Sequence, residues 1–166
     1  MREIIGNALA IVGISILLAF GSNLVHPNKI SWVGIWPDNR RIQALDKPTS
    51  FDPQTDSLIT LEEAFLMWKD KSAVFIDTRE PEEFAEGHIP GAINLPFERW
   101  NEFWDSAKPL IGMQDRIVTY CGGLDCELSL YAAREFQSLG YGRPLIFFGG
   151  YVRWIEQGLP IERSQR

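Results

Sequence analysis

The chain has 166 residues, 45% of them hydrophobic, and a formal net charge of −6 at pH 7. That length holds one ordinary domain plus an appendage, and the apolar share suffices for a core. The acidic balance excludes the basic footprint of a phosphate-backbone binder, so no nucleic-acid partner is expected.

The charge is unevenly placed. Residues 1–56 hold five acids and five bases, whereas residues 57–166 hold 17 acids and 11 bases, so the net charge sits on the C-terminal part. Residues 4–25 form a run of 22 without a charge, rich in Ile, Leu, Val, Ala and Gly. As a helix it spans about 30 Å, the thickness of a bilayer's hydrocarbon core. His26-Pro27 stops it, and Trp32 and Trp36 follow where interfacial aromatics sit. The run reads as a transmembrane helix or signal anchor over residues 1–25. A cleaved signal peptide with a small-x-small site at Ala19-Phe20-Gly21 and a buried soluble helix are the other readings. Lys29, Arg40, Arg41 and Lys47 follow the run, against Arg2 before it, and this asymmetry leans toward a single-pass membrane protein with a cytoplasmic C-terminal domain. Residues 26–56, with Pro27, Pro37, Pro48 and Pro53 among Asn, Asp, Ser and Thr, read as a linker.

From residue 57 strands and helices alternate. Thr60-Leu-Glu-Glu63 is a capping box that starts a helix through Phe65, Leu66 and Trp68. Residues 73–76 are a short apolar run ending at Asp77, and residues 81–86 make one or two helical turns opened by Pro81 and closed by Gly87. A brief strand over residues 92–95 stops at Pro96. Phe97, Trp100, Phe103 and Trp104 then lie on one helix face. Residues 117–120 are the next strand, residues 128–139 a helix ended by Gly140, residues 145–148 the last strand, and Gly149-Gly150 turns into a helix through Trp154 to Gln157. This alternation predicts an α/β domain over residues 57–166, with a parallel sheet covered on both faces.

In such sheets ligands bind beyond the carboxyl ends of strands, and Cys121 follows the strand at 117–120. A cysteine on a strand-to-helix turn faces backbone N–H groups and the positive end of a helix dipole, which favour the nucleophilic thiolate. The loop Gly122, Gly123, Leu124, Asp125, Cys126 and Glu127 is expected to form an anion cradle, its glycines letting it curve without steric cost. The two cysteines are too few for a disulfide scaffold, and no Cys or His cluster completes a zinc site. No metal or other cofactor is expected, and His26 and His88 read as structural. Cys126 reads either as a redox or resolving partner of Cys121 or as a packing residue. Ser129 is a candidate hydrogen-bond partner of the sulfur.

Three ordered stretches carry a family resemblance. Residues 75–79 (Phe-Ile-Asp-Thr-Arg), with Glu83-Phe84 and the run Gly87-His88-Ile89-Pro90-Gly91-Ala92-Ile93-Asn94-Leu95-Pro96, resemble the N-terminal signature of the rhodanese superfamily. Tyr120-Cys121 is similar to its active-site strand end, and Gly149-Gly150 with Trp154 and Gly158-Leu159-Pro160 to its C-terminal signature. The resemblance covers residues 57–162. It implies a five-stranded parallel sheet flanked by helices and a persulfide-forming Cys121. It also implies a sulfurtransferase with a sulfur donor, either a persulfide or thiosulfate, and a thiol acceptor that includes proteins. Asp77 and Arg79 are then expected to brace the catalytic edge as an ion pair. Tethered modules of this kind occur in bacteria, which points to the inner membrane.

The loop departs from the family pattern. The family places Arg, Lys or Thr near the cysteine, where this chain has Asp125, Cys126 and Glu127. Two carboxylates should repel dianionic thiosulfate, which favours a persulfide donor. No arginine follows Cys121 at the spacing of the phosphatases that share the fold. A redox or sulfur-sensing module built on Cys121 and Cys126, or a non-catalytic interaction domain, remain as rival readings.

Overall fold

The computed structural model describes Gly6, residues 11–13, Ser15, residues 47–123 and residues 125–164. The chain divides into two compact units, Met1–Asp38 and Asn39–Arg166. In the first, the described residues are helical and exposed, and Ser15 donates to the Ile11 carbonyl at 2.8 Å. Most of the expected membrane-spanning run at 4–25, and the linker over residues 26–46, lie outside the described residues. Among the described residues no helix is long and apolar enough to cross a membrane.

The second unit is built on strands β1 (Val74–Asp77), β2 (Ile93–Asn94), β3 (Ile117–Tyr120) and β4 (Leu145–Phe147). They pair in parallel in the order β2-β1-β3-β4. Helix α1 (Leu61–Lys69) precedes β1, helices α2 (Pro81–Glu86), α3 (Trp100–Ala107) and α4 (Leu128–Ser138) fill the crossovers, and α5 (Gly150–Glu156) follows β4. The capping box of α1 forms in both directions, with Glu63 N–H on Thr60 Oγ1 at 3.2 Å and Thr60 N–H on Glu63 Oε2 at 2.8 Å.

Successive strand residues point to opposite faces, and the apolar residues divide accordingly. Phe75, Val118, Tyr120 and Phe147 join Ala64 and the fully buried Trp154 in one layer under α1 and α5. Ile76 and Ile117 join Leu95, Ala107, Phe136 and Tyr141 in the other, under α3 and α4. There Trp100, Trp104, Phe136 and Tyr141 pack ring against ring, with centroids 5.1–6.1 Å apart. Both faces are covered, which is what parallel strands of near-continuous hydrophobicity require.

Among the described residues the expected fifth strand is not formed, and the sheet has four. Leu58 makes a single parallel bridge to Ile146, held by Ile59 N–H on Ile146 O at 3.0 Å and Ile146 N–H on Ser57 O at 2.8 Å. Thr60 begins a helix at once, so too few residues remain there to extend the ladder.

Residues 47–56, assigned to the linker by composition, are tied onto the domain. Arg134 of α4 holds Asp56 through Nε and Nη2, at 3.1 and 2.8 Å, and also binds the Ser50 carbonyl at 2.7 Å. Arg143 donates to the carbonyls of Gln54, Thr55 and Asp56 at 3.0–3.2 Å. Burial pushes the Asp56 carboxyl up, but the hydrogen bonds from Arg134 outweigh it and hold the group below its ordinary value.

Candidate active site at the carboxyl end of β3

β1 and β3 run in register, with Asp77 opposite Tyr120. Their next residues therefore emerge side by side at the carboxyl edge of the sheet. Thr78 donates to the Tyr120 carbonyl through both its N–H and its hydroxyl, each at 3.0 Å. The Tyr120 hydroxyl in turn accepts from the N–H of Ile89 at 3.1 Å. Burial, reinforced by the Asp77 charge, pushes the Tyr120 phenol well above its ordinary value, so it stays neutral.

Cys121 is fully buried at this edge. Two N–H groups from α5 hold the chain around it, Tyr151 on the Cys121 carbonyl at 2.8 Å and Val152 on the Gly122 carbonyl at 2.9 Å. This approach is close because Gly150 has φ +59° and no side chain; a Cβ there would overlap the Cys121 carbonyl oxygen. The requirement for glycine falls here and not in the loop. Gly122 and Gly123 lie outside the left-handed region, and a Cβ on either would make only contacts of 3.4–3.8 Å.

Asp77 and Arg79 form a buried, two-pronged ion pair, Nε on Oδ1 at 3.0 Å and Nη2 on Oδ2 at 2.6 Å. Nη2 also donates to the Gly87 carbonyl at 2.8 Å, and the guanidinium lies 4.2 Å from the Tyr151 ring centroid. Burial lowers the Arg79 pKa, but the Asp77 hydrogen bonds and charge outweigh it and the group is held above its ordinary value. The pair joins the end of β1, the Gly87 turn and the start of α5. Sequence reasoning missed Tyr151, whose only signal was its place directly after the Gly149-Gly150 turn.

The sulfurs of Cys121 and Cys126 are joined as a disulfide, with Cα atoms 6.4 Å apart. The spacing alone left this pairing open. Cys121 Sγ lies 3.0 Å from the Cys126 carbonyl oxygen and 3.9 Å from that of Gly123. Cys126 N–H is turned to the Gly123 carbonyl at 3.1 Å. Leu124 lies outside the described residues, and Asp125 is exposed.

Glu127, expected beside the sulfur as a repelling charge, has its carboxylate engaged elsewhere. It accepts from the Tyr131 hydroxyl at 2.7 Å and from Ser50 N–H and hydroxyl at 3.0 and 2.8 Å. These hydrogen bonds, Tyr131 first, hold its carboxyl below the ordinary value. Ser50 went unrecognised because it lies in the proline-rich segment, 77 residues away in sequence. Ser129 is fully buried beneath the start of α4; its carbonyl accepts from Thr119, but its hydroxyl has no partner among the described residues, the sulfur included. His88 is structural: its ring stacks on Phe84, and Nδ1 lies 2.8 Å from the Phe84 carbonyl. Trp154 is core, with Nε1 on the Pro160 carbonyl at 2.7 Å. Among the described residues no group of His, Cys, Asp and Glu side chains is arranged to hold a metal.

Comparison with known proteins agrees with this geometry. The chain is 31% identical over 98 residues to thiosulfate sulfurtransferase 16, chloroplastic, of Arabidopsis thaliana, covering 53% of this chain and 78% of that protein. It is 30% identical over 144 residues to tRNA uridine(34) hydroxylase of an Enterobacter species, where it covers 80% of this chain but only 40% of the larger protein. Among solved structures, the BH2092 protein of Bacillus halodurans superposes with a TM-score of 0.58 at 25% identity, over 76% of this chain and 83% of that one. The model of the rhodanese-like domain matches residues 60–157, which takes in β1 through α5 and the whole Cys121 loop, and the chain therefore belongs to the rhodanese-like family.

Proposed function

We propose that the domain is a sulfurtransferase that carries sulfane sulfur as a persulfide on Cys121. The observation that carries this reading is the position of Cys121 at the carboxyl end of a central parallel strand, its carbonyl pinned by Tyr151 N–H over the bare Gly150 backbone. The Cys121 thiolate attacks the outer sulfur of a persulfide or thiosulfate donor, and a thiol, on a small molecule or a protein, then takes that sulfur. The Asp77–Arg79 pair is neutral as a unit and holds the site's edge without neutralising a dianion. With no Lys or Arg in residues 122–127, a persulfide donor suits the loop better than thiosulfate. Initial rates at varied donor and acceptor concentrations test the proposal. Parallel double-reciprocal lines, with activity lost in Cys121→Ser, are expected; activity retained in that variant would sink it.

The paired cysteines favour a second reading, a redox or sulfur-sensing module in which the disulfide itself is the functional state. The uncharged run at 4–25 supports attachment to a bacterial inner membrane, with the domain on the cytoplasmic side. Alkaline extraction of membranes and a compartment-specific reporter fused after Arg166 test both parts. Release into the soluble fraction would refute attachment, and reporter activity only outside the cytoplasm would refute the orientation.

A further inference from the structure

We infer that Cys126 is a catalytic resolving thiol that discharges the Cys121 persulfide as hydrogen sulfide, making the domain a persulfide reductase as well as a sulfur carrier. This rests on the persulfide reading above and adds a fate for the sulfur.

Three observations carry it. The Cα atoms of Cys121 and Cys126 stand 6.4 Å apart, inside the range of about 4.4–6.8 Å that disulfides span, and the sulfurs are bonded. The flanks hold that approach in place: residues 121 and 122 are pinned by α5 N–H groups, and Glu127 is held by Ser50 and Tyr131. Finally, Cys121 is fully buried whereas Cys126 is only partly so. Cys126 stands against Cys121 inside the loop, where an external acceptor has first to enter. A thiol tethered five residues away acts at an effective concentration on the order of millimolar or more.

The chemistry balances in three steps. The Cys121 thiolate takes the outer sulfur of a persulfide R–S–SH; a sulfur–sulfur bond forms on Cys121, and R–S⁻ leaves and is protonated. The Cys126 thiolate then attacks Sγ of Cys121, the inner sulfur of the protonated persulfide. The Cys121–Cys126 bond forms, the inner–outer sulfur bond breaks, and the outer sulfur departs with the electron pair as HS⁻. The sulfane sulfur gains two electrons, and the two cysteines together lose two. An external dithiol restores the pair through a mixed disulfide and leaves as its own disulfide. The missing cation in the loop fits this course, since the persulfide is passed on rather than stored.

The test is a single turnover of the full chain. It is reduced, freed of reductant and given one equivalent of a low-molecular-weight persulfide with no other thiol. Wild type is expected to release one equivalent of sulfide and to lose two hydrogens, about 2 Da, mapped to a 121–126 cross-link. Cys126→Ser is expected to release none and to gain one sulfur atom, about 32 Da, on Cys121. A wild-type protein that keeps the added sulfur with Cys126 free, or a Cys126→Ser variant that releases sulfide at the wild-type rate, overturns the inference and leaves the sulfurtransferase reading standing. So does a Cys126→Ser variant trapped as a mixed disulfide with the donor's thiol while wild type still takes up sulfane sulfur. Absence of any sulfur uptake by wild type or Cys126→Ser overturns the sulfurtransferase reading itself.

Discussion

Gly150→Ala isolates the contact that positions Cys121. At φ +59° an alanine pays about 1–2 kcal/mol for the left-handed conformation. Its Cβ also overlaps the Cys121 carbonyl, so α5 must withdraw and the hydrogen bonds from Tyr151 and Val152 lengthen or break. At about 1 kcal/mol each, these bring the total to about 3–4 kcal/mol. Gly91→Ala is the control, because Gly91 has φ +77° with nothing within 4 Å of a Cβ and incurs only the conformational term. At about 4 °C per kcal/mol for a domain of this size, the Tm should fall by about 12–16 °C for Gly150→Ala and about 4–8 °C for Gly91→Ala. Single-turnover sulfur uptake by Cys121 should fall about 100-fold in the first variant, since a displacement on the order of 1 Å of a reacting group has that effect. Uptake by Gly91→Ala should match wild type. Equal Tm losses for the two variants, with normal uptake in Gly150→Ala, would refute the reasoning.

Other expectations concern the ion pairs. Arg79→Met leaves Asp77 as a buried, unpaired charge and should destabilise the domain by about 3–5 kcal/mol; the double variant with Asp77→Leu should recover much of the loss, as read by urea unfolding. Recovery of nothing would show that the pair acts through the Gly87 or Tyr151 contact instead. The Asp56 carboxyl titrates below its ordinary value of 3.8 in the folded domain. Its contribution is therefore fully present above the unfolded pKa and is lost as pH falls through the lower, folded value. The stability gap between wild type and Asp56→Asn should hold steady from neutral pH to about 5 and shrink below about 4. A gap unchanged down to acid unfolding would contradict the Arg134–Asp56 assignment.

Much of the edge that holds Cys121 was legible in the sequence because it depends on local signals. Apolar runs of four residues bounded by turn residues placed β1 and β3, the capping box placed α1, and Gly149-Gly150 marked the start of α5. What stayed hidden depends on contacts far along the chain. Residues 47–56 have a linker's composition, and their ties to Glu127, Arg134 and Arg143, 77–90 residues away, are what hold them down. The fifth strand was overcalled because the resemblance supplies a strand count, whereas the early start of α1 limits Leu58 to one bridge. Glu127 looked like a charge facing sulfur, and its partner Ser50 turns it aside. The pairing of Cys121 with Cys126 depends on how the turn at Gly123 and the anchor at Glu127 set the Cα separation, which spacing alone does not encode.

The most direct measurement is site-resolved mass spectrometry of the reduced Cys126→Ser chain after exposure to a persulfide donor, read as the mass of the peptide that contains Cys121. One added sulfur, about 32 Da, removable by a thiol and recovered on that thiol as sulfane sulfur, is the expected result. An unmodified Cys121 peptide, in a protein whose folded state is intact by its unfolding midpoint, would contradict the assignment of Cys121 as the sulfur carrier.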